Sequence, residues 1–213
     1  MRNFIEVRSR RGTLFGLIVA AGVALAGCYH GTARSVSPAE LRAQPGWVLV
    51  PGVPDVRQVS VRDCGPAALA MVLQRWGVPG SSRAEIEKAL PPDTAATGAA
   101  AGTLRDLARS RGLKAFLISG RVEDLIHEVG AGRPVLVGLV QRYGKEALSH
   151  YEVVVGYNPV TRRLLLHDPG HGPREDGLDG FGEEWKPTGN LTLVVTGRAV
   201  EAAPGAAAAQ SGT

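Results

Sequence analysis

Four residues of the types that together hydrolyse amide bonds are spread along the chain: Gln58, Cys64, His150 and Asp168. Cys64 opens the stretch "CGPAALAMVLQRW". Asp63 stands where an N-cap residue belongs, and Pro66 falls in the first turn, where a missing N–H costs nothing. The thiol is thus expected at the positive end of a helix, which favours thiolate over thiol. A thiolate nucleophile needs a base in hydrogen-bond reach, and the base needs an orienting group. His150 begins the apolar strand "HYEVVVGY", and Asp168 ends "RRLLLHDP". If these strands form a hairpin, the two residues lie side by side at one end of it. Asp168 then holds one ring nitrogen while the other faces Cys64. Gln58, on the segment leading into the helix, could join the Cys64 N–H in stabilising an oxyanion. Each residue alone has a plainer reading: a small buried hydrophobe, a structural histidine, an Asp-Pro turn, a surface glutamine. Their combination points to thiol-dependent hydrolysis.

The elements that must position these groups are readable. The Cys64 helix carries Ala67, Ala68, Met71, Val72 and Trp76 at helical spacing and stops at Gly77. Two capping boxes follow, Ser82 with Glu85 and Thr103 with Asp106, the second helix stopping at Gly112. "AATGAAAG" between them reads as a surface loop. "LKAFLIS" reads as a strand and "RVEDLIHEVGAG" as a helix. Then the pattern changes: "RPVLVGLV", "HYEVVVGYN", "RRLLLHDP" and "LTLVVTG" are four β-rich runs, with "YNPVTRR" as a hairpin turn. Helices first and an antiparallel sheet afterwards define an α+β layout. "DPGHGPREDGLDG" reads as a loop over one edge of the site.

With these motifs in place, "Q-x5-DCGPAALAMVL", "SHYEVVVGY" and "LLLHDPG" resemble the bacteriocin-processing double-glycine peptidases, a papain-like cysteine peptidase family. "FGEEWKPTGNLTLVV" is similar to that family's closing segment. The resemblance spans about residues 47–198. It implies a papain-like fold, N-terminal helices packed on an antiparallel sheet, and cleavage after Gly-Gly. It also implies roles for four residues: Cys64 as nucleophile, His150 as base, Asp168 as orienter, Gln58 as oxyanion donor. The best-known members are fused to an ABC transporter; this sequence contains no ATP-binding motif.

The N-terminus gives an address. Four arginines, the last at Arg11, precede an apolar run from Leu14 to Ala26. That run is too short for a bilayer core, which needs roughly 20 residues. "LAGC" follows and resembles the bacterial lipoprotein lipobox, with Cys28 as the lipidated first mature residue. The expected organisation is a signal peptide over 1–27, a lipidated tether over 28–46, a peptidase domain over 47–198 and a disordered tail over 199–213. Within the tether, "SPAELRAQ" suggests a short helix capped by Ser37. Tyr29 after Cys28, in place of Asp, points to the periplasmic face of the outer membrane. A lipidated Cys28 leaves Cys64 as the one free thiol in an oxidising compartment.

Composition excludes several classes. At 44% hydrophobic and 21% charged residues the chain is neither disordered nor a multispan membrane protein. The formal charge of +4 lies mostly in the arginines up to and including Arg11, so nucleic acid is not an expected partner. "HDPGH" has two histidines but no second Cys/His cluster to complete a zinc site, so no metal or other cofactor is expected. His167 is expected on the opposite sheet face from Asp168, and His127 on the surface. The expected partners are a peptide or protein substrate and the membrane. Two other functions fit the same residues. One is hydrolysis of peptidoglycan stem peptides, although Cys64 is followed by Gly-Pro where such enzymes carry Ser-Gly. The other is a catalytically dispensable binding module of an envelope complex.

Overall fold

The computed structural model describes residues 29–197. The expected signal peptide over 1–27, Cys28 with its expected lipidation, and the expected tail over 199–213 lie outside the described residues. The elements, in chain order, are β1 (Arg34–Ser35), α1 (Pro38–Ala43), β2 (Val48–Leu49), α2 (Cys64–Arg75), α3 (Arg83–Ala89), α4 (Thr94–Thr97), α5 (Ala101–Ser110), β3 (Lys114–Ser119), α6 (Val122–Gly130), β4 (Val135–Tyr143), β5 (Glu146–Asn158), β6 (Arg163–Asp168), β7 (Gly172–Gly177), α7 (Leu178–Trp185) and β8 (Leu191–Thr196). The strands form one antiparallel sheet in the order β1-β7-β6-β5-β4-β8-β3, with β2 also paired to β5. The expected α+β fold, helices on an antiparallel sheet, is what forms.

α2 is the centre of the molecule. Every residue from Cys64 to Leu73 is buried, the signature of a helix enclosed on all sides. Its side chains join Leu136, Val153, Val155, Leu165, Leu193 and Val195 of the sheet in one core. Alternation puts Val137, Leu139, Val154, Leu164 and Leu166 on the other face, where Phe181 and Trp185 of α7 cover them with Leu125 and Val129 of α6. The 13-residue β5 serves both neighbours. It pairs with β4 as far as Val154, shifts register between Val154 and Gly156, and there meets β2. Gly156 gives the strands room at that crossing, since a Cβ would press on Leu49 and Leu165.

Several expectations change. Helix α5 starts at Ala101 with Ala100 as N-cap, so Thr103 lies inside it and caps nothing. The alanine run has enough helix propensity, and enough burial at Ala99 and Ala101, to extend the helix backwards. Part of "AATGAAAG" is therefore helical, as α4 and the start of α5. "GPREDG" is the strand β7 and "LDG" opens the helix α7, where a loop was expected; α7 runs on through "FGEEW" of the closing segment. The charged residues of β7 are buried, Arg174 at 5% exposure and Asp176 at 0%, because partners wait for them inside. Residues 29–45, expected as a tether, run along the sheet edge. Tyr29 bridges to Tyr143, β1 pairs with β7, and Arg34 forms an ion pair with Glu175 at 2.6 Å. The Ser82 capping box forms as expected; Ser37 caps α1 as expected, and Glu40 completes a capping box there as well.

Candidate active site

Cys64 is the first residue of α2. The first helical hydrogen bond is donated by Ala67 to the Asp63 carbonyl at 3.0 Å, so the N–H groups of Cys64 and Gly65 precede the helical ladder. Asp63 occupies the N-cap position, but its carboxylate does not cap α2. It accepts from the N–H of Val59 (3.1 Å) and Ser60 (2.9 Å) and pairs with Arg83 at 2.8 Å. The residue therefore folds the turn that delivers the chain to Cys64. Gly65 lets the helix close on Ala99 and Tyr151; a Cβ there would come within 3.2 Å of Ala99. Cys64 itself is 7% exposed.

His150 sits on β5, opposite Leu139 of β4. Asp168 ends β6, one residue past His167, which pairs with Val153. His150 Nε2 lies 2.8 Å from Asp168 Oδ1. Asp168 Oδ1 also accepts from the N–H of Gly170 at 2.6 Å, and its Oδ2 lies 3.0 Å from His171 Nδ1. Burial lowers the basicity of His150, but hydrogen bonds with Asp168 and Cys64 and the charges of Glu152 and Asp168 raise it to about 10. Burial pushes Asp168 up, yet the His150 hydrogen bond and charge, with His171 and Arg174, hold it well below the usual carboxylate range. Asp168 thus holds one ring nitrogen of His150 and favours the protonated ring, which leaves the other nitrogen to hydrogen-bond Cys64 and take its proton.

Cys64 and His150 line one cleft of about 690 Å³. Its walls are largely apolar, with Val61, Ala99, Leu139, Val140 and Leu191 among them, and Arg62 is the one permanently charged side chain there. Gln58 does not line it. Its N–H donates to the Pro169 carbonyl at 3.0 Å, and its side-chain amide lies beside Gly170. The buried Gln58 Oε1 has no hydrogen-bond partner among the described residues. Three of the four expected residues are therefore brought together directly, and Gln58 packs against the turn that carries Asp168. His167, as expected, points away: it is half-buried, with Nδ1 3.3 Å from the Pro54 carbonyl. His127 is exposed, as expected.

Beneath the pair lies a charged cluster that sequence reasoning missed. Glu152, two residues beyond His150 on the same strand face, is fully buried. Arg174 donates to it from Nε at 2.8 Å, and Gln141 Nε2 donates to it at 2.8 Å. Arg174 also pairs with Glu184 at 2.8 Å and approaches Asp168 Oδ2 at 4.0 Å. Burial pushes Glu152 up to about 7 in spite of Arg174. His150, Glu152 and Asp168 offer ligand atoms within 4.8 Å of one another. The donor set does not suit a metal ion, because the Arg174 guanidinium already supplies the positive charge there. One signal was available in the sequence: a lone Glu inside an apolar strand demands a buried cation.

The model of the Peptidase C39-like family matches residues 50–193. The chain belongs to that family. Several solved structures are similar in fold. A Bacillus anthracis protein described as a C39-like peptidase is 19% identical, with 72% of this chain and 98% of that chain covered and a TM-score of 0.57. The peptidase domain of Streptococcus ComA, a bifunctional ABC transporter in a quorum-sensing pathway, is 25% identical over 68% of this chain and 98% of that one, TM-score 0.54. A double glycine motif protease from an AMS/PCAT transporter, solved with its leader peptide, is 21% identical over 68% and 91%, TM-score 0.51. No curated protein matches the chain. The C39-like chain thus has the papain-like peptidase fold that its motifs suggested.

Proposed function

We propose that this C39-like protein is a cysteine peptidase in which Cys64 is the nucleophile, His150 the base and Asp168 the orienter. The observation that carries this reading is the His150–Asp168 hydrogen bond of 2.8 Å beside the one described cysteine, with Cys64 and His150 facing a common cleft. His150 takes the thiol proton, and the thiolate attacks an amide carbonyl. The free N–H of Cys64 stabilises the resulting oxyanion, and Gln58, beside the turn that carries Asp168, is the second donor that the family resemblance implies. His150 returns the proton to the leaving amine, and water then cleaves the thioester.

The substrate is a peptide or protein presenting an uncharged, apolar segment, in keeping with the cleft walls. Cleavage after Gly-Gly is the preference suggested by the double glycine motif protease among the similar structures. Lipidation at Cys28 is proposed to hold the enzyme at the periplasmic face of the outer membrane. The placement of Tyr29 on the sheet edge then leaves no slack between anchor and domain. Alkylation of Cys64 by iodoacetamide, followed by peptide mapping, tests the chemistry. The full chain should react at pH 6 faster than a free thiol, and His150→Ala should abolish the difference. Equal rates in all three contradict the reading.

A further inference from the structure

We propose that Tyr29, on the N-terminal strap that precedes the family-matched segment, is a positioning residue of the active site, acting on Asp168 through Arg174 and through the Tyr143–His171 stack. This rests on the reading of Cys64, His150 and Asp168 as the reacting groups. The family match begins at residue 50, so the strap is an addition to the matched region.

The first route runs through the guanidinium. Arg174 Nη1 donates to the Tyr29 hydroxyl at 3.1 Å, and the Tyr29 hydroxyl donates to Glu184. The Tyr29 ring also lies against the cation, 5.7 Å from its centroid to Cζ. The remaining nitrogens are committed to Glu152 and Glu184, and Nε faces Asp168 Oδ2. A guanidinium is a rigid plane, so fixing one edge fixes the others. Tyr29 thereby sets how the positive charge is presented to Asp168 and Glu152, the two carboxylates nearest His150. The second route is aromatic. Tyr29 packs on Tyr143 at 5.5 Å between centroids, and Tyr143 stacks on His171 at 6.4 Å. His171 Nδ1 in turn meets Asp168 Oδ2 at 3.0 Å. Both routes end on the same carboxylate.

The strap is built for this close approach. Gly31 has no room for a Cβ, which would strike the Tyr29 ring and Glu184. Gly180 of α7 likewise leaves space for Thr32, whose hydroxyl donates to Asp176 at 2.6 Å. Thr32 secures the strap without touching Arg174, which makes it the natural control. Cys28 is the residue before Tyr29, so an anchor there joins the chain next to a group wired to the orienter.

The test compares Tyr29→Phe, Thr32→Val and His150→Ala in the full chain, reading the pH profile of Cys64 alkylation by iodoacetamide and the thermal midpoint. Tyr29→Phe should lower the pH 6 alkylation rate roughly three- to tenfold, a fraction of one charge-assisted hydrogen bond. Thr32→Val should lower the thermal midpoint and leave the profile in place. The proposal is overturned if Tyr29→Phe matches the wild-type profile while His150→Ala flattens it. It is equally overturned if both strap variants shift the profile in proportion to their melting, which marks a structural role. If His150→Ala is also silent, the underlying assignment of the reacting groups fails, and the strap proposal falls with it.

Discussion

His150 Nε2 and Asp168 Oδ1 lie 2.8 Å apart on neighbouring antiparallel strands. Burial lowers His150, and the hydrogen bond to Asp168 is the foremost of the influences that raise it to about 10. Asp168→Asn removes that bond's charge. The alkaline limb of peptide hydrolysis should then move from about pH 10 toward 6.5, the ordinary imidazole value. The rate should fall roughly 10²–10⁴-fold, the usual worth of a positioned general base. A pH–rate profile of the variant checks both, and an unmoved alkaline limb places the titrating proton elsewhere.

The same shifts predict how stability depends on pH. His150 is raised above 6.5 to about 10, and Glu152 above 4.5 to about 7. Both bind their protons more tightly when folded, so each contributes stability at low pH that is lost as pH rises through the folded value. Asp168 is depressed below 3.8 and acts oppositely: its contribution is present above 3.8 and lost as pH falls further. Stability should therefore be greatest near pH 4–5 and decline toward pH 10. Urea midpoints across that range test the trend. Glu152→Gln should flatten its lower half and His150→Ala its upper half.

Arg174→Met should be among the most destabilising single changes. Arg174 is 5% exposed and is the cation for Glu152 and Glu184. Removing one partner from a buried ion cluster costs about 3–5 kcal/mol. Urea unfolding at pH 7 measures it. A loss below about 1 kcal/mol, the value of an exposed pair, would mean that water reaches the cluster.

The two capping boxes separate sequence pattern from structure. Ser82→Ala should cost about 1 kcal/mol, because its hydroxyl accepts the Glu85 N–H at the head of α3. Thr103→Ala should cost nearly nothing, since α5 begins at Ala101. Comparable losses in both would contradict the observed helix start.

The difference between those boxes shows what was legible in the sequence. α2, β3, α6 and the four apolar strands announce themselves through periodicity and glycine stops, because burial of one face or of the whole element dictates their residues. Cys64 and Asp168 were legible at element ends, where the sequence put them; His150 was legible as a residue type, but β5 begins at Glu146, so His150 lies inside the strand and not at its start. β7 and the strap were not. "GPREDG" and the segment after Cys28 are polar, and only tertiary partners bury the first as a strand and hold the second against the sheet. Arg174 reads as a surface residue until Glu152, Glu184 and Tyr29 are seen around it. Gln58 was legible as a residue type. Its contact with the Pro169 turn depends on how the 50–63 segment crosses β6, which no local pattern encodes.

The central claim is that Cys64, activated by His150, cleaves peptide bonds. Terminal-peptide profiling of cells carrying wild type, Cys64→Ala or His150→Ala tests it most directly. The account predicts a set of new N-termini, following uncharged apolar or glycine-containing segments, present in wild type and absent from both variants. Identical termini in all three strains, with each variant folded and present at wild-type abundance, would contradict it.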